Sequence, residues 1–298
     1  MKTSQKWAEF AITWLIRISG YSAVIFVILI FIYLLREGLP SLEKVSLSNL
    51  TSERWYPIED YFGLLPLLSG TLIVTVGATL FAVPFGIGTA IYISEIAPRG
   101  VREILKPLIE VLAGIPSVVL GFLGMLILSP FLRTSFNLST GLTAFTGSLL
   151  LGGIAIPTIV SVAEDALNAV PRSYRDAALA IGATEWQTIW RVTLPAARSG
   201  VLTAIMLGIG RAIGETMAVM MVTGNAPVML HGLSSLFSPV RTMTATIAAE
   251  MGEVANGSVH YQTLFLIGII LFLISLFVNV IASMVVFRKP KRSERILS

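Results

Sequence analysis

Residues 172–195 read RSYRDAALAIGATEWQTIWRVTLP and stand between two long apolar stretches of the chain. Pro171 comes directly before this segment, and a proline suits the first position of a helix because its missing N–H needs no partner there. Residues 172–181 contain good helix formers, and Gly182 is a typical helix terminator. The segment therefore predicts a short polar helix that ends at Gly182.

A second short helix should follow at once. Thr184 and Gln187 have the spacing of a capping box, in which each residue satisfies a backbone N–H of the other. The helix predicted over residues 185–192 should end before Pro195, which cannot continue a regular helix. The pattern indicates a helix–turn–helix outside the membrane, and its structural alternative is a plain linker with two amphipathic turns.

On both sides of this loop the chain is apolar. Of its 298 residues, 55% are hydrophobic and only 13% are charged, about half the charged fraction of a soluble domain. This composition excludes a water-soluble globular enzyme. Runs without Asp, Glu, Lys or Arg cover residues 18–35, 61–94, 111–132, 134–163, 216–240 and 254–287. A membrane-crossing helix needs about 20 apolar residues, so we predict an all-α polytopic protein with six transmembrane helices, at about 12–35, 66–93, 108–130, 145–163, 200–223 and 262–287.

The distribution of basic residues predicts the orientation of these helices. With the N-terminus inside, fifteen of the 21 Lys and Arg residues fall in inner segments, and the positive-inside rule favours that arrangement. Both termini and the loop 164–198 are then cytoplasmic, whereas residues 36–63 and 225–260 lie outside. The first helix is too long for a secretory signal and is interpreted as a retained anchor.

Other residue types limit the possible chemistry. The chain has no cysteine, which excludes disulfides, Cys-ligated metals and thiol nucleophiles. We interpret His231 and His260 as polar residues of outer loops rather than metal ligands, and we expect no cofactor, no metal site and no catalytic residue. The chain has no Gly-Lys dipeptide, so it has no phosphate-binding loop of the Walker type. The basic tail 288–298 is interpreted as a cytoplasmic stop after the last helix rather than a nucleic-acid patch.

Two charged residues lie within the fifth predicted helix. Arg211 comes 13 residues after Arg198, about 20 Å along a helix, and Glu215 follows at i+4 on the same predicted face. One interpretation is a structural ion pair. The other is that Arg211 faces a water-filled path and offers its planar guanidinium to an oxyanion, with Glu215 holding it between transport events.

The 164–198 loop resembles the "EAA loop" of the permease subunits of bacterial ABC importers. The family pattern is E-A-A-x-x-x-G, nine residues, then I-x-L-P. Here Asp176, Ala177 and Ala178 stand at its start, Gly182 follows at the family spacing, and residues 192–195 end the pattern with Leu194 and Pro195. Asp replaces Glu, and Val replaces Ile. The resemblance implies a type I ABC importer permease fold in which these residues couple the membrane helices to an ATP-binding subunit.

The string GRAIGETMAV at residues 210–219, TGN at 223–225 and EVLAGIPSVV at 110–119 are similar to the phosphate-specific branch, with permeases of PstC type. That branch implies a cytoplasmic-membrane subunit of an ATP-driven phosphate importer. The implied partners are a homologous permease of PstA type, two ATP-binding subunits, an extracytoplasmic phosphate-binding protein and membrane lipid, without nucleic acid. We divide the chain into an anchor helix with the first outer loop (1–65), a permease domain (66–287) and the tail (288–298).

Three alternatives remain at this stage. A permease for another oxyanion or small solute, such as sulfate, molybdate or phosphonate, would carry the same loop. A gradient-driven secondary transporter would need an inverted repeat and acidic relays, neither of which is evident in the sequence. A structural membrane scaffold would have no use for a docking loop.

Overall fold

The computed structural model describes residues 2–229 and 232–287. Within them, six helices are long and apolar enough to cross a membrane, as predicted. We refer to them in chain order as the first to sixth spans: Ile12–Lys44, Leu65–Ile96, Ser117–Ser135, Ala144–Asn168, Glu185–Gly214 and Val259–Ile281. The predicted tail 288–298 and His231 lie outside the described residues.

The spans are built from continuous helices, from helices joined by wide turns, and from short helices at their ends. The helices are Lys2–Gly38, Ser41–Lys44, Leu47–Leu50, Leu65–Ile91, Arg99–Gly114, Ser117–Leu123, Ser129–Ser135, Ala144–Asn168, Arg172–Ala180, Glu185–Thr188, Leu194–Gly214, Met217–Val222, Met243–Glu250 and Val259–Phe287. Wide i→i+5 turns occupy Tyr92–Ile96, Gly124–Leu128 and Ile189–Thr193, and 3₁₀ turns occupy Pro57–Glu59 and Leu233–Phe237.

The core of the bundle lies between the second, fourth and fifth spans. Ile159 of the fourth span is buried and sits between two glycines, Gly86 of the second span and Gly208 of the fifth. A Cβ on Gly86 would lie 2.7 Å from the Ile159 side chain, and one on Gly208 would lie 2.5 Å from it. Small residues let helix backbones approach closely in membranes, so these two glycines set the spacing of the three central helices.

The first span stands apart from that core. None of its most apolar stretch is buried, and it packs against the sixth span near its C-terminal end. Phe31 stacks on Phe272 with ring centroids 4.7 Å apart, and Tyr33 meets Phe265 edge to face at 5.7 Å. The rest of this apolar helix faces away from the protein.

Two predicted helices are interrupted, which corrects their boundaries. The third, predicted over 108–130, breaks at Ile115 and Pro116, which are extended. Residues 108–114 belong instead to Arg99–Gly114, a strongly amphipathic helix with no buried residue. Pro116 has no backbone N–H to donate to the hydrogen bonds of a helix, and the residue before a proline is biased toward extended conformations. The span therefore begins at Ser117.

The fifth helix, predicted over 200–223, ends at Gly214, and Glu215 is extended with ψ 127°. A separate helix begins at Met217. Glu215 therefore stands at the helix end, and the ion pair that one interpretation placed between Arg211 and Glu215 is not formed among the described residues. Glycine is a weak helix former, and the helix ends at Gly214.

Short strands Trp55–Tyr56 and Tyr61–Phe62 form an antiparallel hairpin between the first and second spans. Trp55 and Phe62 bury their rings against the end of the sixth span. This end of the bundle is called the hairpin end below. The opposite end, which carries residues 164–198, is called the loop end.

Candidate functional site

The loop helix, Arg172–Ala180, ends as the sequence predicts. Gly182 has φ +87°, a backbone conformation that residues with a Cβ rarely adopt. Its N–H donates to the Leu179 carbonyl at 3.0 Å, and the next N–H, of Ala183, donates to Ala178 at 3.1 Å. These two bonds form a Schellman motif, which satisfies carbonyls at the helix end. The direction in which the chain leaves the loop helix therefore depends on Gly182.

The capping box predicted at Thr184 is also present. Its hydroxyl accepts from the Gln187 N–H, and the Gln187 side chain accepts from the Thr184 N–H. The predicted end of this helix before Pro195 is wrong, because the helical path continues through the turn Ile189–Thr193 into the fifth span. The i→i+5 turn widens the backbone ahead of the proline, and Leu194 and Pro195 begin the long helix that follows. The loop is thereby continuous with the fifth span.

The loop presents one apolar surface to the exterior of the protein. Ile181, at the turn, is 87% exposed, and Trp186 and Trp190 are exposed and meet edge to face at 5.6 Å. Asp176 and Ala177 are exposed on the loop helix, whereas Ala178 is buried beneath it. An exposed apolar surface with a polar rim is typical of a protein-docking site.

Under the loop helix lies a polar network that the sequence analysis did not identify. Arg175 donates to both carboxylate oxygens of Glu95, Nε to Oε2 at 3.0 Å and Nη2 to Oε1 at 2.5 Å. It also donates to the carbonyls of Leu167 at 2.9 Å and Val170 at 2.7 Å. One guanidinium thus binds the loop helix to the ends of the second and fourth spans.

The network continues into the bundle from Glu95. Ser94 Oγ donates to Asn168 Oδ1 at 2.9 Å, and Asn168 Nδ2 donates to Glu164 Oε1 at 2.6 Å. Lys106 closes the row, with Nζ 2.7 Å from Glu164 Oε2. We call Ser94, Glu95, Glu164, Asn168 and Arg175 the loop-end clamp.

The sequence carried one signal for this clamp. Glu95 and Glu164 each follow directly on the end of an uncharged run, 61–94 and 134–163. Both carboxylates are nearly buried, and a buried carboxylate needs a cationic or hydrogen-bonding partner. The hydrogen bond to Glu164 also raises the pKa of Lys106 above its ordinary value.

Arg211 lies in the last turn of the helix Leu194–Gly214, at the end of the fifth span that is distant from the loop. Its Nη1 donates to Thr158 Oγ1 of the fourth span at 2.8 Å. Among the described residues, no carboxylate is in ion-pair contact with Arg211, and Glu215 is not its partner. This bond to the fourth span fixes the orientation of the guanidinium and therefore of its remaining N–H donors.

In the structure Glu215 binds backbone groups rather than Arg211. Its Oε1 accepts from the backbone N–H groups of Thr216 at 3.2 Å and Ala218 at 3.3 Å. A carboxylate in this position caps the helix that follows. The Glu215 carbonyl accepts from Thr244 Oγ1 at 3.1 Å. The break in the fifth span is therefore held to the helix Met243–Glu250.

The other end of that helix belongs to a cluster at the hairpin end. Glu250 accepts from Arg241 and from Trp55 Nε1, the latter at 3.1 Å, and its Oε2 lies 2.8 Å from His260 Nε2. These side chains line a cavity of about 510 Å³. Sequence reasoning described His260 as a polar loop residue, whereas it lies at the start of the sixth span and contacts Glu250.

Curated relatives resemble the chain over most of its length. A phosphate transport system permease protein PstC of Mesorhizobium japonicum is 38% identical over 273 residues, which are 85% of this chain and 82% of that protein. The PstC protein of Haemophilus influenzae is 31% identical over 92% of this chain and 94% of its own. A probable ABC transporter permease, YqgH of Bacillus subtilis, is 41% identical over 76% of this chain and 73% of its own.

Solved structures share the fold. A chain of the MetNI methionine ABC transporter in an inward-facing conformation has a TM-score of 0.60, 17% identity and coverage of 78% of this chain and 98% of its own. A bacterial ABC transporter for import of alginate has a TM-score of 0.57, 16% identity and coverage of 94% and 99%. At these identities the likeness concerns the fold alone.

The model of one family, described as "Binding-protein-dependent transport system inner membrane component", matches residues 82–290. That match covers five of the six spans in whole or in part, the loop 164–198 and the break at Gly214. The chain belongs to the family of binding-protein-dependent transport system inner membrane components.

Proposed function

We propose that this protein is the membrane-spanning permease subunit of an ATP-driven importer that moves inorganic phosphate across the cytoplasmic membrane. The relatives named phosphate transport system permease proteins support this substrate. The structural observation that carries the proposal is the position of Arg211. It is a guanidinium about 20 Å along a helix from Arg198, bonded to a hydroxyl and to no described carboxylate.

A charged side chain at this depth is costly, and such residues mark substrate paths by default. A guanidinium matches the oxygens of a tetrahedral oxyanion through its planar fork. Thr158 uses one of its N–H groups and fixes its direction, which leaves further donors for a phosphate. Glu215 binds backbone N–H groups instead of Arg211, so no described carboxylate competes with phosphate for the guanidinium.

The energy for transport comes from partner subunits in this proposal. The sequence has no Gly-Lys dipeptide and hence no Walker-type phosphate loop, so the subunit does not itself hydrolyse ATP. Two ATP-binding subunits would sit beneath the permease, and one of them would dock on the apolar surface around Ile181. A homologous permease of PstA type would complete the membrane pair, and an extracytoplasmic phosphate-binding protein would deliver the substrate to the hairpin end.

This arrangement requires the loop end to face the cytoplasm, with both termini inside. It also assigns the roles of the loop residues: Asp176, Ala177, Ala178, Gly182, Leu194 and Pro195 form the element that couples the spans to the ATPase. The transporting domain is residues 66–287, preceded by the anchor helix and first loop.

The test is uptake of radioactive phosphate into proteoliposomes that contain the complete importer. The ATPase subunits face the lumen, and the ATP is enclosed in the lumen with them. We expect ATP-dependent uptake that excess unlabelled phosphate suppresses and that sulfate or molybdate does not. Arg211→Lys keeps the charge and removes the fork, so its uptake should fall while assembly persists. Absence of phosphate uptake together with ATP-dependent uptake of radioactive sulfate or molybdate would replace the substrate and keep the importer.

A further inference from the structure

Arg175 lies on an exposed helix, yet its side chain points into the protein and is hydrogen-bonded there. Its neighbours Asp176 and Ala177 face outward, yet the Arg175 side chain is only 20% exposed and turns inward. There it donates to Glu95 at the end of the second span and to two carbonyls at the end of the fourth. The last carbonyls of a helix lack intrahelical donors, and a cation is stabilising at that end.

The fourth span reaches from these carbonyls to the proposed substrate path. Leu167 accepts from Arg175, and Thr158, nine residues earlier on the same helix, accepts from Arg211. The two positions are about 14 Å apart along the helix axis. Residues 158–167 contain neither glycine nor proline, and sharp helix bends occur at such residues or at wide turns. This part of the helix is therefore a stiff connection.

The rest of the clamp prevents the two spans from sliding past each other. Ser94 of the second span is bonded to Asn168 of the fourth, and Asn168 is bonded to Glu164 one turn earlier. Arg102 binds the Ile93 carbonyl at 2.7 Å and the Ser94 carbonyl. A fully satisfied polar network of this kind rigidifies the elements that it joins.

We propose that Arg175 is the positioning residue that makes the loop helix, the second span and the fourth span move as one body, so that displacement of the loop reaches Arg211 through Thr158. The proposal rests on the proposed function, because it assumes that the loop helix is the element that the ATPase subunits move. Loss of Arg175 should leave the loop helix free to move without the spans.

The functional test compares Arg175→Gln with Arg172→Gln in the complete importer in proteoliposomes. Both changes remove one arginine from the same helix, but Arg172 is exposed and lies outside the clamp. Arg175→Gln should keep ATP hydrolysis and lower the phosphate imported per ATP about tenfold or more, because the loss of even one of the four charge-assisted hydrogen bonds has an effect of that size on a two-state equilibrium. Arg172→Gln should keep the wild-type ratio.

An unchanged ratio in assembled Arg175→Gln would overturn the proposal. An equal loss in Arg172→Gln would overturn it as well, because the effect would then belong to the charge of the docking surface. If Arg175→Gln does not assemble, Arg175→Lys replaces it. Its ratio should also fall, since an ammonium cannot reproduce the fork that joins Glu95 to both carbonyls.

A second measurement does not depend on the substrate. The chain has no native cysteine, so nitroxide labels can be placed at Ser173→Cys on the loop helix and Glu103→Cys on Arg99–Gly114, both exposed. In the assembled importer without nucleotide, Arg175→Gln should broaden the distance distribution between the two labels, and Arg172→Gln should not. A wild-type importer that moves no phosphate would refute the proposed function alone. An unbroadened distribution in Arg175→Gln would refute the clamp alone.

Discussion

Arg211 of the fifth span donates from Nη1 to Oγ1 of Thr158 in the fourth span at 2.8 Å. This bond joins the fourth and fifth spans. The residue next to Thr158, Ile159, packs between Gly86 of the second span and Gly208 of the fifth. The depth and the direction of the guanidinium are therefore set by the contact between two spans. A change in the relative position of those spans would change the donors available to an anion.

We predict that Thr158→Val weakens phosphate transport. Valine keeps the shape of threonine but cannot accept the Arg211 hydrogen bond, and a bond to a charged group is worth roughly 1.5–3 kcal/mol. The phosphate concentration for half-maximal uptake should rise about tenfold. Thr203→Val is the control, because Thr203 is exposed on the fifth span, which also carries Arg211, and its hydroxyl bonds only within its own helix. Equal effects of the two variants would contradict the role of Thr158.

Glu215 should tolerate a neutral amide better than truncation. Glu215→Gln keeps a side-chain oxygen that can accept from the Thr216 and Ala218 N–H groups, whereas Glu215→Ala leaves both without this partner. Loss of a capping side chain costs about 1 kcal/mol. We expect Glu215→Ala to lower the apparent melting temperature of the purified protein and Glu215→Gln to remain near wild type. If Glu215→Gln is the more damaging change, the negative charge itself matters and the capping role is wrong.

The region of Arg211 and Glu215 shows where prediction from sequence patterns fails. The apolar run through residues 216–240 gave no sign of a helix end at Gly214, because periodicity and composition continue across it. The i+4 spacing of Arg211 and Glu215 was compatible with an ion pair, whereas in the structure Glu215 stands at the helix end and binds backbone N–H groups. The six spans were predictable because membrane helices follow from length and hydropathy alone.

Gly182→Val should impair coupling without a packing defect. A Cβ at Gly182 would meet no atom within 4 Å, so the cost comes from φ +87° alone, at about 1–2 kcal/mol for an L-residue in the left-handed region. Phosphate uptake should fall while the amount of protein in the membrane stays near normal. Gly100→Val is the control, because Gly100 is equally open and its φ is not positive. Wild-type uptake in Gly182→Val would remove this turn from the mechanism.

The orientation of the bundle can be tested with single cysteines. Ile58 at the tip of the hairpin is 86% exposed and Ile181 in the loop is 87% exposed, so the two positions are matched in accessibility. In intact cells or right-side-out vesicles that hold the permease without its ATP-binding subunits, a membrane-impermeant maleimide should label Ile58→Cys and should label Ile181→Cys only after permeabilisation. The reverse pattern would invert the topology.

The cluster at the hairpin end should contribute to stability. Glu250→Ala leaves Arg241 without its carboxylate partner and removes the acceptor of Trp55, and breaking a largely buried ion pair costs about 3 kcal/mol or more. For a chain of this size the apparent melting temperature should drop by roughly 6 °C or more. Glu253→Ala, at an exposed position only three residues away, should shift it little. A shift as small for Glu250→Ala would mean that the cluster is not stabilising.

The loop was more predictable than the contacts beneath it. Helix termination at Gly182 and the capping box at Thr184 are local signals, formed by residues within a few positions of each other. The bond between Glu95 and Arg175 joins residues 80 positions apart, and no local pattern contains it. From the sequence it is evident only that the acid at position 95 directly follows an uncharged run.

The placement of the first span has a consequence for the order of assembly during synthesis. Phe31, Tyr33 and Gly38 pack against Phe272, Phe265 and Ile269 of the sixth span, which the ribosome makes more than 220 residues later. The first helix to enter the membrane must therefore wait there, surrounded by lipid, until the last has been inserted. Contacts so distant in sequence form late in folding. A chain released before residue 259 would keep the central helices and leave its own N-terminal helix without the surface on which it rests.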